Sequence, residues 1–353
     1  MLDLSKTNAE IRPLDQDAMA TARDRWNAVA KPIASLGKLE TLVEQVAGIA
    51  GDPDVDIAKR CAVIVCSDNG VVAEGVTQGG SEVTSAIAGN IARGVSSINS
   101  LCEPAGIEVM AVDLGMEVPP TDPRVIDRNV ARGTGDIALG PAMTEDQALQ
   151  AIQVGMDLVG GLKAQGHRLI AAGEMGIGNT TTSSAMTAAL LGLGPQEVTG
   201  RGAGLSDRDY RHKVDVVRRA LEVNHPDPAD PLEVLSRLGG FDIAGLAGIY
   251  LGAGVHRVPV VVDGFICDVA ALTAVRLCPA CRDYLLPSHL SAEPAVQALT
   301  DALGFDPVIH AGMHLGEGTG AVCLVPLLDM ALSLYRGTTY ADTGIAAYEV
   351  DPQ

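Results

Sequence analysis

Two short glycine-punctuated segments hold the side chains best suited to chemistry. The first, Gly173-Glu174-Met175-Gly176-Ile177-Gly178-Asn179-Thr180-Thr181-Thr182, follows an apolar run and opens a helical pattern. It matches the phosphate-binding pattern G-x-x-x-x-G-K-[ST], except that Asn179 stands in the lysine position. Gly176 and Gly178 let backbone N–H groups approach an anion, the helix start near Thr180 carries partial positive charge, and the threonine hydroxyls donate. Without the lysine, no side-chain charge grips a β- or γ-phosphate. The segment reads as a monophosphate cradle rather than a nucleoside-triphosphatase loop. A threonine-capped helix start with no ligand is the alternative.

The second segment, Gly316-Glu317-Gly318-Thr319-Gly320, holds Glu317 between glycines, just ahead of the apolar run Ala321 to Leu328. Glycines on both sides let a backbone or a flat ligand come close. A carboxylate partly withdrawn from water has a raised pKa and can accept a proton near neutral pH. A glutamate at a helix start also complements the helix dipole, and the residues alone leave both readings open.

Other candidates are weaker. Cys278-Pro279-Ala280-Cys281 is a single C-x-x-C without a second pair or suitably spaced histidines, so it reads as two ordinary thiols. His310 and His314 are four apart and could share a helical face, but they lack the glutamate of H-E-x-x-H. No metal site is expected. Ser288-His289 has no G-x-S-x-G elbow around it, and His289 reads as a loop hydrogen-bonder. The stretch Asp207–Ala220 carries Arg208, Arg211, Lys213, Arg218 and Arg219 at helical spacing. Most belong to a solvated face, but one could supply the cation missing from the cradle; periodicity does not say which.

These segments need a scaffold, and the apolar pattern supplies one. Cys61–Cys66, Ile107–Val112, Arg168–Ala172 and Val258–Val262 are short apolar runs, each ending at a Gly/Asp-rich turn. Helical stretches are expected at Ser81–Ala105, Thr144–Gln165, Thr180–Leu193, Asp207–Val223, Gly240–Ala253, Phe265–Leu277 and Thr319–Leu334. Alternation of this kind predicts an α/β fold with a doubly wound, mostly parallel (Rossmann-like) sheet and helices on both faces. Ligands bind such sheets outside the carboxyl ends of the strands, where all the turns named above fall. Pro259 predicts an edge position or a strand start. Helical patterns at Pro13–Ala30 and Leu39–Ala50 predict a small helical accessory domain over residues 1–56, joined by 331–353, beside a large α/β domain over 57–330.

The 353 residues carry 44 acidic against 25 basic side chains, a net charge of −19, which excludes binding to nucleic acid or an anionic membrane through a cationic face. Aromatic residues make up only 3% while glycine reaches 40 residues, a composition suited to close helix-on-sheet packing. No apolar stretch is long enough to span a membrane. Met1-Leu2-Asp3-Leu4-Ser5-Lys6 lacks the layout of a signal peptide, and seven scattered cysteines fit reduced thiols, so a cytoplasmic location is expected.

Taken together, several motifs carry a family resemblance. They are Ser35-Leu36-Gly37-Lys38-Leu39-Glu40, Asp68-Asn69-Gly70-Val71-Val72-Ala73-Glu74-Gly75-Val76, the Gly173–Thr181 and Lys213–Ala220 segments, Gly239-Gly240-Phe241-Asp242, Asp263-Gly264-Phe265, Pro287-Ser288-His289-Leu290-Ser291-Ala292-Glu293 and Leu315–Ala321. In this order they resemble the nicotinate-nucleotide:dimethylbenzimidazole phosphoribosyltransferases, from Ser35 to about Leu328. The resemblance implies conversion of nicotinate mononucleotide and a benzimidazole base to α-ribazole 5′-phosphate and nicotinate, in assembly of the nucleotide loop of cobalamin. It implies no cofactor, small-molecule substrates as partners, and a homodimer.

By the same resemblance Glu317 is the general base for the benzimidazole N–H, and Glu174 supports the ribosyl centre. Lys213 is the phosphate-side lysine that replaces the missing cradle cation. Gly176, Gly178, Asn179, Thr180, Asp263, Ser291, Leu315 and Ile87 complete the expected substrate contacts. Asn69 and His314 depart from the family pattern, where histidine and arginine are familiar, and Thr77–Glu82 is looser than usual. Apolar Ile87 would favour a flat base over a phenol. A nucleotide-sensing module without turnover is the competing reading; a nucleoside triphosphatase is disfavoured by Asn179.

Overall fold

Successive residues of the first strand alternate between two hydrophobic cores, and this alternation organises the molecule. Cys61, Val63 and Val65 face one core; Ala62, Ile64 and Cys66 face the other. A strand buried on both faces needs the near-continuous apolar run seen in its sequence. The computed structural model describes residues 2–348. Among them, one six-stranded sheet contains β1 (Arg60–Ser67), β2 (Glu108–Gly115), β3 (Ile126–Asp127), β4 (Leu169–Met175), β5 (Val260–Val262) and β6 (Leu285–Pro287). The order is β3-β2-β1-β4-β5-β6 and every pairing is parallel. The chain winds outward from β1 in one direction and then from β4 in the other. The switch point lies between these two neighbours, where a doubly wound sheet opens a crevice at its carboxyl edge.

Helices cover both faces. On one side lie Glu145–Ala164, Phe241–His256 and Phe265–Leu277; on the other lie Lys38–Ala50, Glu82–Arg93, Ser97–Ala105 and Thr319–Tyr335. The long helical pattern expected over Ser81–Ala105 is broken in two. Gly94 takes a left-handed conformation (φ 82°) as the C-cap of the first helix, and Ser96 caps the second. Strands β3 and β6 have no counterpart in the apolar pattern, because runs of two and three residues carry no readable period. The helices Leu4–Glu10, Pro231–Leu238 and Val296–Leu303 are likewise too short to read. Pro259 precedes β5, so its missing N–H costs no ladder bond, although β5 is an inner strand.

The terminal segments meet. Val29 bridges Thr339, the Trp26 and Tyr335 rings lie 4.9 Å apart, and the Tyr335 hydroxyl donates to Pro53 O at 2.8 Å. The buried Lys31–Glu40 pair at 2.8 Å ties the same region, with Glu40 also accepting from Leu36 N. Ile11 and Ile49 from this region join the core on the opposite face of the sheet. Residues 349–353 of the segment expected to pack here lie outside the described residues. No described helix is long and apolar enough to cross a membrane.

Helices Glu145–Ala164 and Phe241–His256 cross at glycines. A Cβ on Gly248 would lie 2.8 Å from the Ile152 carbonyl carbon and 2.9 Å from its Cα, and a Cβ on Gly155 would lie 2.7 Å from Ile249 N. Backbone on backbone cannot yield cheaply. We expect Gly248→Ala to cost about 1–3 kcal/mol in urea unfolding. Gly161→Ala, on the same helix pair with open space around it, should be neutral or gain up to ~1 kcal/mol. Equal effects of the two substitutions would contradict a packing origin.

Candidate active site

The carboxyl ends of β4 and β5, with the turns that follow them, open onto one cavity of about 700 Å³, a size suited to a nucleotide-like ligand. Its walls include Glu174–Thr180, Asp263–Cys267, the Arg201–Leu205 loop and the His314–Glu317 turn.

Glu317 is fixed by backbone geometry. Gly316, Glu317 and Gly318 have φ of 85°, 58° and 77°, three left-handed residues in succession. For a residue with a Cβ this conformation costs of order 1–3 kcal/mol, so the surroundings must hold it. Asp263 does so: its Oδ2 accepts from Gly318 N at 3.1 Å and its Oδ1 from Ala321 N at 3.0 Å, capping the helix Thr319–Tyr335. The turn also lies directly on β4. A Cβ on Gly173 would sit 2.5 Å from Gly318 Cα, so only glycine fits there. Glu317 Oε2 is buried and without a hydrogen-bond partner. Burial, with Asp263 adding to it, raises the Glu317 carboxyl above its ordinary value.

The cradle differs from a simple nest of free amides. Ile177 N donates to Thr84 Oγ1 at 3.2 Å, Asn179 N to Gly176 O at 3.2 Å, and Thr181 N to Gly178 O at 2.9 Å. These amides are taken by protein acceptors, leaving the helix end and one buried cationic side chain to attract an anion. That side chain is Lys213. It is 1% exposed, and its Nζ donates to Thr180 Oγ1 at 2.8 Å, in the first turn of the helix Asn179–Leu191. Burial pulls the ammonium down to about 8, with Glu293 opposing. An ammonium this buried needs a negative partner, and among the described residues no carboxylate makes an ion pair with it. Of the five basic residues on the helix Asp207–Asn224, Lys213 is the one that is buried and lines the cavity.

Asn179, standing in the lysine position, joins two acids. Its Nδ2 donates to Glu174 Oε2 and, at 2.9 Å, to Asp242 Oδ2. Glu174 is 6% exposed and Asp242 is fully buried. Desolvation, then the charge of Asp242, raises Glu174 to about 8, while burial raises Asp242 to about 6. The close packing extends to Gly176, whose Cβ would lie 2.5 Å from Asp242 Oδ2.

The structure gathers Glu317, Glu174, Gly176, Gly178, Asn179, Thr180, Lys213, Asp263, Ser291 and Leu315 around the cavity. Ile87 is the exception. It sits half-buried against the sheet one helical turn beyond Val83, and Val83 is the residue of that helix that reaches the cavity. His310 and His314 share no helical face. They lie in an irregular segment, bonding Pro307 O and Gly312 O respectively, with His314 on the cavity rim. Among the described residues no group of three or more His, Cys, Asp or Glu is arranged to hold a metal ion. Cys278 and Cys281 are buried free thiols.

Sequence reasoning gives no role to Asp242, Glu293 or the Arg201–Leu205 loop. Asp242 is visible there only as an acid after a glycine pair, and the loop only as Gly200-Arg201-Gly202-Ala203-Gly204. His289 does more than bond a loop. Its Nδ1 lies 3.0 Å from Ser288 Oγ and 3.9 Å from Asp263 Oδ1, and its ring lines the cavity. Burial lowers its pKa, which favours the neutral ring.

Comparison with known proteins follows the same lines. The profile of a family described as Phosphoribosyltransferase matches residues 11–345. A nicotinate-nucleotide–dimethylbenzimidazole phosphoribosyltransferase of Acetivibrio thermocellus is 41% identical, over 98% of this chain and 99% of its own. A protein of the same name from Ruminiclostridium cellulolyticum is 42% identical, over 96% and 97%. The crystal structure of CobT from Thermus thermophilus superposes with a TM-score of 0.88 at 39% identity, covering 94% of this chain and 99% of that one.

The Lys213 environment leads to a two-sided prediction. Lys213→Met removes a buried charge that no described carboxylate pairs with directly and that Glu293 offsets only from a distance, so thermal unfolding should move to higher temperature. Inorganic phosphate should raise the melting temperature of the parent protein and leave the variant unmoved. Loss of stability in the variant, or phosphate stabilisation that persists in it, would contradict the assignment.

Proposed function

This chain belongs to the nicotinate-nucleotide–dimethylbenzimidazole phosphoribosyltransferase family, and on that premise we propose that it moves the phosphoribosyl group of nicotinate mononucleotide onto 5,6-dimethylbenzimidazole with Glu317 as general base. The products are α-ribazole 5′-phosphate and nicotinate. A ring nitrogen of the base attacks C1′, and the bond from C1′ to the pyridinium nitrogen breaks. The leaving ring takes up the electron pair and departs neutral at nitrogen. Attack from the opposite face turns the β-linkage into α. As at other glycosidic centres, positive charge develops at C1′ in the transition state.

The observation that carries this reading is the Glu317 carboxylate: held by a strained turn, partly desolvated, one oxygen unpartnered, on the wall of a cavity that also contains the buried Lys213. An oxygen without a partner has a lone pair for the N–H of a bound azole. Taking that proton leaves the attacking nitrogen more nucleophilic. Lys213 and Thr180 receive the 5′-phosphate, with the Gly176–Gly178 loop, Asp263, Ser291 and Leu315 shaping the remaining walls. Glu174 faces the ribose and the departing ring. Because the ring nitrogen of the leaving group is already cationic, the protein's work is orientation, proton removal and exclusion of water. Val83, rather than Ile87, borders the base. By family likeness the enzyme works as a homodimer in the cytoplasm.

Incubation with nicotinate mononucleotide and dimethylbenzimidazole should release nicotinate and give an α-linked product. Glu317→Gln should lower kcat by about 10² or more while nicotinate mononucleotide affinity stays within a few-fold. Since the base must be ionised, kcat falls as pH drops through the Glu317 pKa, above the ordinary 4.5. Unchanged turnover in the variant would remove Glu317 from the mechanism. Retained binding without any nicotinate release in the parent protein would favour a sensing module.

A further inference from the structure

Glu174 and Asp242 are two buried acids joined by one neutral amide, with the Asn69 amide a second neutral partner on the Asp242 side. The Asn179 amide has two hydrogens and gives one to each carboxyl. Among the described residues no ion pair reaches either acid. The cations lining the same cavity are engaged elsewhere: Lys213 with Thr180 and Arg201 with Asp207. The other titratable groups around the pair are acidic or neutral. Asp263 faces Glu174 from the end of β5, Glu317 faces it from the turn before the helix Thr319–Tyr335, and Asp68 faces Asp242 from the end of β1. The Cys66 and Cys267 thiols, both driven up by burial, add no charge. Two ionised carboxylates here would be a double negative charge in a low-dielectric site without a counter-ion, and such a pair retains a proton.

The geometry identifies the holder. Asp242 Oδ1 also accepts from Ile243 N at 3.0 Å, in the first turn of the helix Phe241–His256, where the dipole favours an anion. Glu174 has only the shared amide among the described hydrogen bonds, and it lines the cavity. Glu174 stands at about 8 and Asp242 at about 6, which agrees with this order.

We propose that Glu174 is a neutral acid in the unliganded protein, that Asp242 acting through Asn179 is the positioning residue that keeps it so, and that an N-ribosylpyridinium nucleotide displaces the proton when its positive ring arrives. This rests on the reading of the cavity as a nicotinate mononucleotide site. On binding, the Glu174 O–H breaks, the proton passes to solvent, and the new carboxylate pairs with the ring cation. Glu174 thereby carries its counter-charge only while a pyridinium nitrogen needs one. A nucleotide whose ring nitrogen is uncharged cannot call it up, so the pair also discriminates by charge at that atom.

Lys213 works in the opposite direction. An arriving phosphate favours its protonated form and takes up a proton, so the reference ligand must share the phosphate. Calorimetric titration near neutral pH, in buffers of different protonation enthalpy, gives protons exchanged per site for nicotinate mononucleotide and for ribose 5-phosphate. The cationic nucleotide should release about one proton more than ribose 5-phosphate. Its affinity relative to ribose 5-phosphate should rise up to about tenfold per pH unit and level off above about 8. Glu174→Gln should abolish the difference. Asp242→Asn, which lets Glu174 ionise earlier, should shrink it. If Asp242→Asn does not fold, Glu174→Gln decides alone. Equal proton counts for the two ligands in the parent protein, or a difference that survives Glu174→Gln, would overturn the proposal while leaving the binding site intact. Absence of any nicotinate mononucleotide binding would overturn the underlying reading as well.

Discussion

The two backbone N–H bonds accepted by Asp263 hold the site together. They tie the last long helix to the end of β5, and they do so at the turn that carries Glu317. The turn is left-handed at three successive residues, a conformation that would relax without an anchor. The glycine at 173 lets the same turn rest on β4, so one residue is pinned from two strands at once. The backbone that carries the carboxylate is fixed, and its partial desolvation follows from the fold rather than from its own chemistry.

Negative charge dominates this region. Glu174, Asp242, Asp263, Asp68 and Glu317 meet near the carboxyl ends of β1, β4 and β5, inside a chain whose net charge is −19. Such crowding pushes carboxyl pKa values upward and makes each acid's ionisation depend on its neighbours. It also leaves Lys213 as a local positive centre in an acidic surround. The result is a cavity with a cationic end at Lys213 and several acids of raised pKa, which suits the proposed ligand's anionic tail and positive ring nitrogen.

The small residues have a structural role of the same kind. Gly155 and Gly248 bring two helices into backbone contact, which draws the start of the helix Phe241–His256 over the end of β4. Asp242, at the start of that helix, accepts from Asn179. The low aromatic content is the compositional trace of this packing, since large rings would hold the layers apart.

Much of this was legible from the residues. The strands β1, β2, β4 and β5, the long helices and the glycine turns follow from apolar period and turn chemistry, which act over a few neighbouring residues. The order of motifs along the chain identifies the family. Strands β3 and β6, too short to show a period, were not legible, and neither was the phase of the helix that brings Val83 rather than Ile87 to the cavity. Nor could the sequence choose Lys213 among five basic side chains, or join Asp242 to Glu174 through Asn179, because Asp242 lies far along the chain from the other two. Desolvation and Coulomb interactions depend on burial and distance, and both arise only when elements remote in sequence pack together. The amino-acid sequence by itself determined the local elements and the inventory of chemical groups; the tertiary structure decided which groups share a cavity, which lose their water, and hence which hold a proton.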